Sequence, residues 1–257
     1  MDLAAIIGIG LAFAGIFGAQ VMEGGNPASI LLLPPLILVI CGTFGAAMAS
    51  GMLKDSVGIL NQIKRAFTSK TSTSSELVDA VVALAERARR EGLLALEDAA
   101  KAVADPFLRR GLEMAIDGTD PEELGDILHG EVGAKRKADK AGAKVFADMG
   151  GYAPTIGIIG TVLGLVHVLG SLSDPSKLGE LIAGAFVATL WGVMLANVVF
   201  LPLGSRLKRI SELECEQMEL AIEGILAIQA GANPRLVAQK LKSLLPPGEA
   251  DKKAKAA

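Results

Sequence analysis

Four stretches of the chain hold no Asp, Glu, Lys or Arg: Leu3 to Met22, Gly24 to Leu53, Met149 to Ser173 and Leu181 to Ser205. Each supplies the roughly 20 mostly apolar residues that cross a bilayer as a helix. A bilayer interior satisfies backbone polar groups only inside helices or closed barrels. No segment here alternates with the period of a strand, so the spans are expected to be helical. A mean hydropathy of +0.46 over 257 residues agrees with that reading. The first run is expected to be a retained span and not a cleaved signal peptide, because Asp2 replaces the usual basic start and Gln20-Val21-Met22 is a poor cleavage site.

The loops give the orientation, since Lys and Arg are retained on the cytoplasmic side. The connector Glu23 to Ser29 has no basic residue, and Asp174 to Glu180 has only Lys177. Lys54, Lys64, Arg65 and Lys70 follow the second run, Lys135, Arg136, Lys137, Lys140 and Lys144 precede the third, and Arg206, Lys208 and Arg209 follow the fourth. Both termini and the middle segment are therefore expected in the cytoplasm. The expected organisation is a first hairpin over 1–53 (spans about 3–22 and 30–53), a helical cytoplasmic block over 54–148, a second hairpin over 149–205 (spans about 151–172 and 181–203), and a cytoplasmic helix with a disordered tail over 206–257. The class is an all-α integral membrane protein with four transmembrane helices in two hairpins.

The middle block carries 15 basic and 17 acidic residues, which makes it neither a nucleic-acid patch nor a polybasic lipid anchor. The Ser/Thr run Thr68 to Ser75 reads as a linker closed by a capping pair, Thr73 and Glu76. An amphipathic helix should follow, with Leu77, Val81, Leu84 and Ala88 on one stripe and Gly92 at its end. A second helix is expected from Leu93 to Ala104, stopped by Asp105-Pro106, and a third from Pro121 on into the third span. Beyond Pro202, Leu207, Ile210, Leu213 and Leu220 mark a helix over 205–230, and the segment from Pro246 reads as a disordered tail. Cys41 and Cys215 fit no metal or redox spacing and are expected to be packing residues.

In the third run, Pro154, Gly157, Thr161, Gly164 and Val168 recur at three- and four-residue steps and share one helix face. The fourth has a comparable face in Ala185, Thr189, Gly192 and Ala196. Such faces serve close helix packing, or line a polar path with their hydroxyls. Ion and proton paths ordinarily contain a membrane carboxylate, and none is present here. In an ion-driven machine the carboxylate would have to come from a partner subunit, with Thr161 and Thr189 lining its surroundings. His167 is the one ionisable side chain inside a span; six positions from Thr161, it lies about 120° away on an ideal helix. It is expected off the threonine face, neutral and hydrogen-bonded.

Arg89, Arg90, Glu91 and Glu97 cluster about the helix break at Gly92, where charge is either a solvated face or a docking surface. No nucleotide loop, zinc spacing or Ser/His/Asp set appears, so enzymatic activity is not expected, and neither is a cofactor.

Four local sequences, ARREGLLALE (Ala88 to Glu97), APTIGIIGTVLGLV (Ala153 to Val166), ATLWGVMLAN (Ala188 to Asn197) and FLPL (Phe200 to Leu203), together with the 2+2 plan, resemble the MotA/PomA stator subunits of the bacterial flagellar motor. The resemblance implies an inner-membrane homo-oligomer, a pentamer, around a MotB/PomB-type single-span, peptidoglycan-binding partner that supplies the ion-binding aspartate. It implies ion-path positions at Thr161 and Thr189, torque-coupling prolines at Pro154 and Pro202, and rotor-facing charges at Arg89, Arg90 and Glu97, directed at the rotor protein FliG. The transported ion is H+ or Na+, with Thr161 leaning to sodium. An ExbB/TolQ-like energiser of an envelope protein shares the third- and fourth-span pattern, and the additional hairpin at Leu3 to Leu53 speaks against it.

Overall fold

The computed structural model describes residues 3–69, 74–173 and 175–245, and among these every regular element is helical. In chain order they are α1 (Ala4–Met22), a 3₁₀ turn (Pro27–Ile30), α2 (Leu33–Ser50), α3 (Leu53–Val57), α4 (Ile59–Thr68), α5 (Ser74–Glu91), a 3₁₀ turn (Leu93–Leu96), α6 (Glu97–Ala102), α7 (Pro106–Ile116), α8 (Pro121–Gly170), α9 (Pro175–Met194), a π-helical segment (Leu195–Phe200), α10 (Leu201–Gln229) and α11 (Pro234–Ser243). Four helical stretches, Ala4–Met22, Leu33–Ser50, Pro121–Gly170 and Pro175–Gln229, are long and apolar enough to cross a membrane.

The chain divides into two compact units, Met1–Lys70 with Asp139–Ile210, and Thr71–Ala138 with Ser211–Ala257. This differs from the linear division at 54–148. α3 and α4, and the residues of α8 from Asp139 to Asp148, belong with the spans, and the described residues 211–245 belong with the middle block.

In the first unit α2 buries one stripe, Val39, Thr43 and Ala47, at four-residue steps. Val39 joins Ile30, Val187, Trp191 and Met194 in one cluster, and the indole Nε1 of Trp191 donates to the Ile30 carbonyl oxygen at 2.6 Å. That bond fixes the 3₁₀ turn between the first two spans to α9. α1 buries no residue and half-buries Phe13, Ile16 and Phe17 against the same cluster. A second cluster gathers Ala66 of α4, Phe146 and Ala153 of α8, and Leu203 and Leu207 of α10. Around it the Arg65 guanidinium donates to both Asp139 carboxylate oxygens, at 2.5 and 2.9 Å, and Arg206 Nε donates to the Ala66 carbonyl oxygen at 2.6 Å.

The second unit has its own core: Val78, Val81 and Leu84 of α5, Leu96 of the 3₁₀ turn after it, Leu108 and Leu112 of α7, Leu124 and Leu128 of α8, Ile222 and Ile225 of α10, and Val237 and Leu241 of α11. Each fully buried aliphatic side chain of this kind contributes about 1.5–3 kcal/mol. Leu77 and Ala88 of the expected stripe are partly buried at its edge, and Gly92 ends α5 at φ 87°, a left-handed value that favours glycine.

Several expectations change. Asp105-Pro106, read as a stop, also starts a helix: the Asp105 carboxylate accepts the Leu108 N–H at 2.8 Å and Pro106 takes the first position of α7. The same logic, with Asn233 accepting the Arg235 N–H ahead of Pro234, starts α11 in the stretch between the expected helix over 205–230 and the tail from Pro246. α2 begins at Leu33, after a 3₁₀ turn, and α9 already begins at Pro175, so Lys177 and Glu180 are helical. Cys215 is buried, whereas Cys41 is exposed on α2. Thr73 of the capping pair and the tail from Pro246 lie outside the described residues.

Candidate functional site: a hydroxyl pair between two spans

The two small-residue faces expected on the third and fourth spans meet each other. A methyl group added at Gly164 would touch the Ala185 side chain at 2.5 Å, and one at Gly157 would lie 2.9 Å from the Ala188 carbonyl oxygen and 3.0 Å from Thr189 Cα. A methyl at Gly160 would lie 2.6 Å from the Ala188 side chain. Such close approach needs small residues at the contact, and at these three positions there is no room even for a methyl without a shift. Gly157, Gly160 and Gly164 therefore close against the chain's own fourth span.

That approach brings the two threonines together. The hydroxyls of Thr161 and Thr189 are hydrogen-bonded to each other, and Thr161 Oγ1 lies 3.1 Å from the Ala185 carbonyl oxygen and 3.3 Å from that of Gly157. A hydroxyl has one donor and two acceptor lone pairs. If Thr189 donates to Thr161 and Thr161 donates to a carbonyl, lone pairs on both oxygens stay open. Both residues are half-buried, which leaves one side of the pair open at the surface of α8 and α9. The pair is uncharged; it can lend oxygen ligands or hydrogen bonds to an ion or to a charged group brought from outside.

Both sequence-marked prolines are inside continuous helix. Pro154 sits in α8 and lacks the N–H that would bond the Gly150 carbonyl, while Pro202 is the second residue of α10. The turns carrying them are in contact: a methyl on Gly150 would overlap the Leu201 side chain, next to Pro202. Just before Pro202, the backbone widens into the π segment, with the Leu201 N–H bonded to the Ala196 oxygen. Asn197 Nδ2 donates to the Val193 carbonyl oxygen at 2.9 Å, so a side chain satisfies a carbonyl beside the widened turn. In the sequence Asn197 stands out only as the last residue of ATLWGVMLAN. An amide in an apolar span is the signal that could have singled it out.

His167 is exposed and off the threonine face, as its angle requires, but no hydrogen bond to it is found among the described residues. The expected hydrogen-bonded histidine is corrected on that point.

In the second unit, Arg89 and Arg90 are exposed in the last turn of α5 and form no ion pair among the described residues. The C-terminal end of a helix favours such cations. Glu97 is also exposed and accepts a hydrogen bond from Lys101 Nζ at 2.8 Å. The hydrogen bond and charge of Lys101 hold the Glu97 carboxyl below the usual carboxylate range, and Glu97 raises Lys101 in return.

Fold and site together define a multi-span helical membrane protein with a helical domain outside its spans and an uncharged polar contact between its last two spans. The profile of the MotA/TolQ/ExbB proton channel family matches residues 99–220, and that of the motility protein A N-terminal region matches residues 6–92. Motility protein A of Bacillus subtilis is 37% identical over 96% of this chain and 92% of its own length. A solved structure of C. jejuni MotAB superposes with a TM-score of 0.91 at 31% identity, over 96% of this chain and 97% of that one. The flagellar MotAB stator complex from Bacillus subtilis gives 0.89 at 36% identity, over 98% of each. The chain belongs to the motility protein A branch of the MotA/TolQ/ExbB proton channel family. The match over 6–92 covers the additional hairpin and decides against the ExbB-like alternative.

Proposed function

We infer that this chain is a stator subunit of the flagellar motor: with a MotB/PomB-type partner it forms an ion channel in the inner membrane and turns ion-motive force into torque on the rotor. The observation that carries the reading is the Thr161–Thr189 pair, a polar contact between two charge-free spans with lone pairs to spare and no carboxylate. Such a wall suits an ion path whose aspartate comes from the partner's single span. The passing ion, H+ or Na+ with sodium favoured, would be exchanged at that aspartate while Thr161 and Thr189 supply neutral oxygen. Pro154 and Pro202 weaken the backbone ladder in two touching turns, which suits them to a bend that follows the ion step. Arg89, Arg90 and Glu97 are the charges offered to the rotor protein FliG. A homopentamer around the partner helices, with both termini in the cytoplasm, is consistent with the loop charges and with the exposed apolar surfaces of the spans.

The test is motor speed in a strain whose only stator carries this subunit, measured against sodium at fixed pH and against pH at fixed sodium. Thr189→Val keeps the shape and removes the hydroxyl, and it should lower speed along one of the two axes. Unchanged curves on both would reduce the pair to helix packing.

A further inference from the structure

We propose that Leu94 is the apolar anchor of the rotor-docking surface, flanked by Arg89 and Arg90 on one side and the Glu97–Lys101 pair on the other. This rests on the rotor-docking reading above. Leu94 is 77% exposed, the most exposed large apolar side chain among the described residues of the second unit, where Leu236 (63%), Leu244 (55%) and Ile127 (39%) follow. A single exposed leucine on a soluble surface usually means little. This one differs in how rigidly it is held and in what surrounds it.

Leu93 and Leu96 are three residues apart in the 3₁₀ turn, where that spacing puts two side chains on one face; Leu96 is fully buried and Leu93 packs against the same core. Leu94 is left to point outwards. Gly92 reverses the chain at φ 87° immediately before the turn, and Glu97 starts α6 immediately after it. The knob therefore stands on a backbone already fixed at both ends, so docking it costs little ordering entropy.

The charges beside it define the partner. Arg87 is paired with Glu91 at 3.1 Å and Glu97 with Lys101, whereas Arg89 and Arg90 have no partner among the described residues. Arg90 precedes Leu94 by four residues, at most about 14 Å of chain. In chain order the exposed side chains here are the guanidinium groups of Arg89 and Arg90, then Leu94, then the Glu97 carboxylate held by Lys101. Their complement is a rotor protein surface with carboxylates opposite Arg89 and Arg90 and a shallow apolar notch next to them. Charge steers the encounter and the desolvated leucine slows departure, a division that suits a contact made and broken at every step.

The experiment compares Leu94→Ser, Leu94→Ala, Leu94→Met and Arg89→Glu in tethered-bead motors, reading the residence time of each stator unit at high load, with copurification of the MotB-type partner scored in parallel. The expected result is a residence time shortened roughly tenfold by Leu94→Ser, less by Leu94→Ala, and close to the parent value for Leu94→Met, all with normal copurification. Parent-like residence for Leu94→Ser, with Arg89→Glu impaired, overturns the anchor and leaves the docking reading standing. Parent-like behaviour of both removes the docking reading as well. Loss of copurification in both Leu94→Ser and Leu94→Ala would mean that Leu94 is covered by a second copy of this chain, which also overturns the proposal.

Discussion

Gly157 of α8 and Gly192 of α9 pack backbone against backbone: a methyl group on Gly192 would lie 2.5 Å from the Ala153 carbonyl oxygen and 3.1 Å from Gly157 Cα. This contact fixes the separation of the two spans, and with it the hydrogen bond between Thr161 and Thr189.

Gly192→Ala is expected to lower the thermal stability of the purified complex by about 1–3 kcal/mol, since the clash is with backbone and has no side chain to move aside. Gly130→Ala is its control. Gly130 is exposed in α8, and nothing lies within 4 Å of an added methyl. There the substitution should raise stability by up to about 1 kcal/mol through helix propensity. Equal effects of the two in a melting experiment would contradict the close approach.

Thr161→Ser keeps the hydroxyl that bridges to Thr189 and Ala185, and Thr161→Val removes it. Motility on soft agar should follow the hydroxyl: near the parent for serine, strongly reduced for valine. Similar loss in both would point to the methyl group and to packing.

Asp139→Ala strips both acceptors from the Arg65 guanidinium in a pair whose side chains are only 23% and 11% exposed. A half-dry cation losing its carboxylate costs about 2–4 kcal/mol. The variant should unfold at lower denaturant concentration, and the exchanged pair Arg65→Asp with Asp139→Arg should recover part of the difference.

The Glu97–Lys101 contact carries a pH signature. Glu97 is lowered, so its contribution is present above the ordinary carboxylate value and is lost as pH falls through its own, lower value. Lys101 is raised, so its share is present below the ordinary lysine value and is lost as pH climbs past its own, higher one. The contact therefore persists throughout the neutral range. A carboxyl-carbon NMR titration should place the Glu97 midpoint below the usual carboxylate range, and Lys101→Met should move it upwards; an unmoved midpoint would show the pair is not formed in solution.

The charge-free runs and the three- and four-residue spacing of small residues made the spans and the two faces legible, because membrane burial and helix period are both written locally. Gly92 and Pro121 were equally readable as helix punctuation. α7 and α11 were not, because an Asp-Pro or Asn-Pro pair reads equally as a helix stop or as the cap and first residue of a new helix, and only packing against the core decides which it is. The π segment also escaped, since a widened turn has no composition of its own and is revealed by where the hydrogen bonds go.

By itself, then, the sequence determined a helical membrane chain with no acid in its spans and with threonines on two small-residue faces. The tertiary structure decided that the two faces meet each other, that the glycines close against the chain's own fourth span, and that Arg65 answers Asp139 across 74 residues. The reason is physical: periodicity fixes which side of a helix a residue occupies, but the choice of neighbour depends on side chains far away in the chain, whose shapes and charges are matched only when the helices have packed.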